Sequence, residues 1–393
     1  MKLKLSEPVV VTQGTDSRTA KWGSYQFPRI EKLEDGRLFY SFNLCDDSEA
    51  AAPVPPGCFL SEDNGKTWTQ INASDAPKNR GIKLPNGEAV RFVNPRSIPL
   101  EGLKLPEPLG TTWLGHTAYF IKDVDADLCQ HTWTLARTSA DGRSTEVENV
   151  TLNWPNMLVR SCKGVFVPPF PRGRLKLAPD GTLWMPHYYL AGADPETGEF
   201  FPYLCNYLFR STDGGRTWDL MSFLPYIPEE NNPNLSSKLE GFGENDITFT
   251  PDGSMIRLIR THGRSQQEGP CYYTRSEDNG VTWSEPTVFY RHGVWPCLLT
   301  LGCGVTLATF GRPGLVLCAT DDPSAKRWED PIRIICPKPY PWKTMEDHAT
   351  CGYSNLIALD DRTAALVYTD FTVKDPDGVP RKSMMFRTIT VED

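Results

Sequence analysis

The chain has 393 residues and a formal charge of -8, with a pI near 5.4, a balance that excludes nucleic acid as its main partner but leaves room for a local arginine cluster. Its 31 glycines, 34 prolines and 43 aromatic side chains, 11 Trp, 14 Tyr and 18 Phe, point to β structure rich in turns and away from helical bundles. Eleven cysteines occur without a CxxC pair, which favours reduced, buried thiols over a disulfide framework or a zinc site.

In chain order, the N-terminal MKLKLSEPVVVTQGTD has no apolar h-region, and no run of about eighteen apolar residues follows it. A soluble, cytoplasmic protein is therefore expected. Two layers of repeat then appear. LEDGRLFYSF (Leu33–Phe42), APDGTLWMPH (Ala178–His187), TPDGSMIRLI (Thr250–Ile259), LGCGVTLATF (Leu301–Phe310) and LDDRTAALVY (Leu359–Tyr368) each join a tight turn to an apolar strand. Offset from these stand SEDNGKTW (Ser61–Trp68), STDGGRTW (Ser211–Trp218) and SEDNGVTW (Ser276–Trp283), with degenerate copies at Ala319–Trp328 and Thr138–Thr145. Asp-Gly between apolar runs is a hairpin signal, because Gly accepts the positive φ of the turn. Each unit reads as four antiparallel strands, with the octapeptide turning the third into the fourth and its Trp packing between units.

Such a unit is one propeller blade. First strands are expected near Arg29, Trp154–Arg160, Glu244, Trp295 and Tyr353, with an ill-marked unit between Glu88 and Gly142. The fold expected is all-β, a six-bladed β-propeller of four-stranded antiparallel blades over residues 1–393 as one domain. Seven blades fit if Lys83–Gly181 hides another unit. PVVVTQ (Pro8–Gln13) would close the last blade and remove its exposed edge. RSIPLEGLKLPEPLG (Arg96–Gly110) and AGADPETGEFFPY (Ala191–Tyr203) read as long loops.

In a propeller, polar residues at the starts of first strands and the ends of second strands share one face. Arg29, Glu244, Arg260, Arg312 and Tyr353 hold such positions, with Arg260 and Arg312 read as equivalent. The octapeptide and this ordered set resemble the sialidase superfamily and its Asp-boxes. The resemblance implies that Arg29, Arg260 and Arg312 grip a substrate carboxylate. Tyr353 then resembles the nucleophile, Glu244 its base, and Asp46 or Asp47 the acid/base. It implies a retaining exo-glycosidase for a small terminal acidic sugar, without cofactor or metal. The Phe27-Pro28-Arg29-Ile30 motif departs from the sialidase pattern and looks more like the wider arabinan hydrolases and polysaccharide lyases. For a lyase acting on a uronate, His348 and His187 are the alternative acid/base pair. A non-catalytic glycan-binding propeller is the third reading.

Overall fold

A computed structural model describes residues 1–45, 54–93, 97–112, 114–125, 133–226, 241–262, 269–339 and 345–392, without the side chains of His262, Met345 and Glu346. Among these residues the chain is all-β with minimal helix, and no helix is long and apolar enough to cross a membrane.

Six sheets follow one another along the chain, each built on antiparallel strands in chain order from first to last, and Thr151–Asn153 adds a parallel neighbour to the last strand of the third. Sheet I runs Gln26–Lys32, Leu38–Asn43, Gly57–Ser61 and Thr69–Ile71. Sheet II runs Ile82–Lys83, Ala89–Val93, Thr134–Thr138 and Thr145–Asn149. Sheet III contains Lys176–Leu177, Leu183–Tyr189, Cys205–Ser211 and Thr217–Leu224. Sheet IV comprises Gly241–Phe249, Met255–His262, Cys271–Ser276 and Thr287–Tyr290. Sheet V comprises Val294–Thr300, Thr306–Gly311, Leu315–Thr320 and Ile332–Ile335. Sheet VI has Ser354–Ala358, Thr363–Asp370 and Arg381–Glu392. Against its last strand, Val9–Asp16 and Lys2–Leu5 both pair antiparallel. The first strand of sheet IV packs on that of V, that of V on VI, and that of VI on I.

The octapeptides turn the third strand into the fourth, and their side chains explain the repeat. In Ser61–Trp68 the Ser61 hydroxyl donates to Asp63 Oδ1 (2.8 Å) and accepts the Gly65 N–H (2.8 Å). Asp63 Oδ1 accepts the Thr67 N–H (2.9 Å), and the Trp68 indole donates to the Gly65 carbonyl (3.0 Å). The same bonds recur at Ser211–Trp218 and Ser276–Trp283. Gly65, Gly215 and Gly280 all have positive φ, which a Cβ would penalise. With its polar groups satisfied, the Trp packs into core: Trp218 is fully buried beside Trp133 and Phe92. The described cysteines are free thiols, most of them buried.

The long stretch from Lys83 to Gly181 departs from expectation. Trp154–Arg160 does not begin the first strand of a serial sheet. Leu158–Cys162 instead joins Val165–Val167, Thr117–Phe120, Gly110–Thr111 and Ile98–Pro99 in a separate five-stranded sheet. That sheet takes strands from two insertions far apart in sequence, so no local repeat marks it. The two stretches read as loops carry short strands: Arg96–Gly110 contributes Ile98–Pro99 and reaches Gly110–Thr111, and Ala191–Tyr203 folds a hairpin of Gly192–Ala193 with Phe200–Phe201.

Candidate active site

A cavity of ≈ 1280 Å³ opens among the first strands. Its wall includes Arg29, Glu244, Arg260, Arg312, His348 and Tyr353, so six of the nine expected site residues meet there. Asp46 and Asp47 lie outside the described residues, but Asn43, which ends the second strand of sheet I, is on the wall. His187 is not on the wall. It is buried among Trp133, Trp154, Tyr207 and Phe209, where its Nδ1 accepts the Arg172 backbone N–H (2.9 Å). Burial, and then the Arg172 charge, push its pKa down to about 3, so at neutral pH it is a neutral core residue.

Bulges aim the other side chains. The first strands of sheets I, IV and V each carry one extra residue at the same place, between Gln26 and Arg29, Phe242 and Asn245, and Val294 and Cys297. A bulge bends the strand and redirects the inserted side chains. It sets Phe27, Glu244 and Trp295 on the cavity wall. Phe27 (φ 60°), Trp295 (φ 50°) and Arg312 (φ 47°) also have left-handed backbones, each costing a non-glycine residue roughly 1–3 kcal/mol. Strain thus gathers at this cavity.

In sheet IV the residue facing the bulge is Arg260, which explains its contact with Glu244. Arg260 Nη1 donates to Glu244 Oε2 at 2.7 Å, and the Trp295 N–H donates to the same oxygen at 3.1 Å. The Tyr353 hydroxyl donates to the other oxygen, Oε1. Burial alone would raise the Glu244 pKa, but Arg260 and the hydrogen bonds from Tyr353 and Arg260 outweigh it and hold the carboxyl below its ordinary value. Burial, with the Glu244 charge, keeps the Tyr353 phenol well above its own. An ionised carboxylate therefore faces a neutral phenol. The Tyr353 ring is fixed by stacking on Trp295 (5.0 Å) and by the edge of Phe27 (4.6 Å).

Arg312 is not the structural equivalent of Arg260. The residue facing the bulge of sheet V is Phe310, and Arg312 lies two residues beyond it. Gly352 lets it approach: a Cβ there would sit 2.7 Å from Arg312 Cβ. Arg312 is 8% exposed and lies over the Trp22 ring at 4.7 Å. Its backbone N–H donates to the Gly314 carbonyl (2.9 Å), but among the described residues its guanidinium makes no hydrogen bond or ion pair. Burial and the Arg260 charge pull its pKa down to about 10. Trp22 is held by Lys382, whose ammonium donates to the Lys21 (2.6 Å) and Ser24 (2.8 Å) carbonyls. His348 is also drawn down, to about 4, by burial and Arg312.

Arg29 is on the wall but apart from this group. The charges acting on it are Glu31, Arg174 and Arg80, not Glu244, Arg260 or Arg312. Sequence reasoning missed Trp22, Trp295, Tyr188 and Arg172, which also line the cavity. Burial and then the Glu244 charge raise the Tyr188 pKa against the opposing pull of Arg172 and Arg260, and the Arg172 guanidinium lies 5.8 Å from its ring. No repeat marks Arg172, because it sits before the first strand of sheet III in the mis-assigned stretch. Among the described residues no cluster of His, Cys, Asp or Glu could hold a metal.

No family model and no curated protein sequence matches the chain. Solved structures do. A Dyadobacter fermentans protein of unknown function shares 18% identity over 99% of both chains, with a TM-score of 0.64. The Penicillium chrysogenum α-L-arabinanase, solved with arabinobiose, shares 15% identity over 98% of both chains (TM-score 0.53). A mutant of the NanB sialidase from Streptococcus pneumoniae shares 14% identity over 96% of this chain and 70% of that one (TM-score 0.50). These two enzymes are β-propeller glycosidases. At such identities the likeness is one of fold.

Proposed function

We propose that the six serial sheets close as a six-bladed propeller, completed by the N-terminal strands, and that the protein is a retaining glycoside hydrolase for a terminal acidic sugar. The observation that carries this reading is the Tyr353–Glu244–Arg260 chain of hydrogen bonds beside an uncompensated Arg312. A neutral phenol is the nucleophile suited to a carbon bearing a carboxylate, because a carboxylate nucleophile would be repelled by the substrate. Arg312, with Arg260, supplies positive charge for that carboxylate.

In the first step the Tyr353 oxygen bonds to the anomeric carbon as its proton passes to Glu244. The leaving oxygen takes a proton from an acid, a role we assign to Asp46 or Asp47, which follow Asn43 of the cavity wall. Water, deprotonated by the same Asp, then releases the sugar and Tyr353 recovers its proton from Glu244. Arg29 is left out of the carboxylate grip, and Arg172 beside Tyr188 takes its place as the third arginine. The position of His187 in the aromatic core disfavours the paired-histidine lyase, and the uncompensated Arg312 disfavours a neutral arabinoside.

The test is release of 4-methylumbelliferone from its sialoside by the wild type and by Tyr353→Phe. Turnover abolished in the variant supports the reading. Absence of turnover in the wild type, together with a rise in ultraviolet absorbance on uronate-containing glycans, replaces it with a lyase.

A further inference from the structure

The cavity holds a second group of charges that the proposed chemistry does not use. Besides the Tyr353 end, its wall includes Arg29 and Glu31 from sheet I, Ile82 and Arg91 from sheet II, and Arg174 and Lys176 from sheet III. Two of these cations are satisfied. Arg174 donates to the Pro296 and Ser354 carbonyls, and Lys176 to Asp246 Oδ2 (2.7 Å) and the Leu298 carbonyl (2.9 Å).

Arg29 and Arg91 are different. Among the described residues neither guanidinium makes a hydrogen bond or an ion pair, and the buried Arg91 Nε has no partner. The carboxylate that acts on both is Glu31, and one of its oxygens already accepts the Gly81 N–H (2.7 Å). Gly81 is where the two sheets meet: its φ is +116°, and a Cβ would sit 2.3 Å from the Val90 carbonyl oxygen and 3.0 Å from Arg91 Cβ. Arg29 is exposed on the cavity wall, and of the charges near it Glu31 acts more strongly than Arg174 or Arg80. Arg91 is half-buried; burial lowers its pKa, with Arg80 adding to the effect and Glu31 opposing it. Two guanidiniums thus face one cavity with less than one carboxylate to offset them. Positive charge so lightly offset attracts an anion, which guanidinium forks hold through charge-assisted hydrogen bonds.

We propose that Arg29 and Arg91 form a second oxyanion site, which takes a second carboxylate or sulfate of a substrate already held by Arg312 at the Tyr353 end. This rests on the acidic-sugar reading above. The cavity volume fits more than one sugar, since pockets for small ligands commonly run to about 1,000 Å³ or less. The substrate class is therefore a glycan with two anionic groups.

The test follows thermal unfolding of the full chain in sodium sulfate against sodium chloride of equal ionic strength. Sulfate raises the wild-type melting temperature through two sites. The Arg29→Met/Arg91→Met variant loses one part of the rise, with apparent affinity at that site weakened about tenfold or more. Arg91→Lys keeps most of it, and Arg312→Met loses the other part. A double variant that retains the whole wild-type rise overturns the proposal. If the double variant loses its part while Arg312→Met loses nothing, the second site stands and the acidic-sugar reading falls. A second arm compares sialic acid with its α2,8-linked dimer, which carries two carboxylates. The dimer stabilises the wild type more than the monomer does, and that excess disappears in the double variant. An excess of zero in the wild type, with the sulfate effect present, assigns the site to a free oxyanion and overturns the doubly charged substrate.

Discussion

Glu244→Gln keeps the size of the side chain but removes its charge from a site that Arg260, Tyr353 and the Trp295 N–H all address. The wild-type carboxylate is 4% exposed and Arg260 3%, so the variant takes the Glu244 charge away from a buried guanidinium. Breaking such a pair costs about 3–5 kcal/mol. Unfolding entropy of about 2.1 cal/mol/K per residue, over 393 residues, gives roughly 0.8 kcal/mol/K, so the melting temperature falls by about 4–6 °C. The folded pKa of Glu244 lies below its ordinary 4.5. Its contribution is therefore fully present above that value and lost as pH falls through the folded pKa. The gap between wild type and variant must narrow in acid. Glu244 is also the proposed acceptor of the Tyr353 proton, so kcat drops about 10²–10⁴-fold. Calorimetry at neutral and acid pH, with sialoside turnover, reads both effects. A variant that melts with the wild type, a gap that widens in acid, or unchanged kcat would refute the reasoning.

Trp218→Ala removes a fully buried indole that packs on Trp133 and Phe92 and costs about 3–5 kcal/mol; chemical denaturation measures it, and turnover of the folded variant stays near wild type. His187→Gln leaves kcat unchanged, because the imidazole is neutral core and not cavity wall. Since the His187 pKa falls to about 3 in the fold, below the ordinary 6.5, wild-type stability declines as pH drops from about 6.5 towards 3. That acid decline is shallower in the variant. Arg257 is fully buried, with none of its three guanidinium nitrogens hydrogen-bonded among the described residues, and rests on Trp283 at 4.4 Å. Arg257→Met is expected to melt at or above the wild-type temperature, and a fall of several degrees would show that the cation–π contact outweighs desolvation.

The octapeptides and Asp-Gly turns made most of the architecture legible, because each is a local device: Ser61, Asp63, Gly65 and Trp68 satisfy one another within eight residues. They place third and fourth strands wherever they occur. The stretch from Lys83 to Gly181 was not legible, since its extra sheet pairs strands such as Thr117–Phe120 with Leu158–Cys162 across two insertions. Pairing between distant segments leaves no periodic trace.

The candidate site divides the same way. Sequence order singled out Tyr353, Glu244, Arg260 and Arg312, since strand ends in a repeated sheet fall on one face. Only the tertiary structure decided which of them touch. Bulges put Glu244 opposite Arg260 and Trp295 against Tyr353, while Arg312 falls two residues beyond Phe310, which faces the bulge of its own sheet. Arg29 stands apart from the Glu244 group, under the charges of Glu31, Arg174 and Arg80, and His187 turned into an aromatic core. The physical reason is the strand's two-residue period: one inserted residue reverses which side chains face the cavity, and no pattern of residue types announces that insertion.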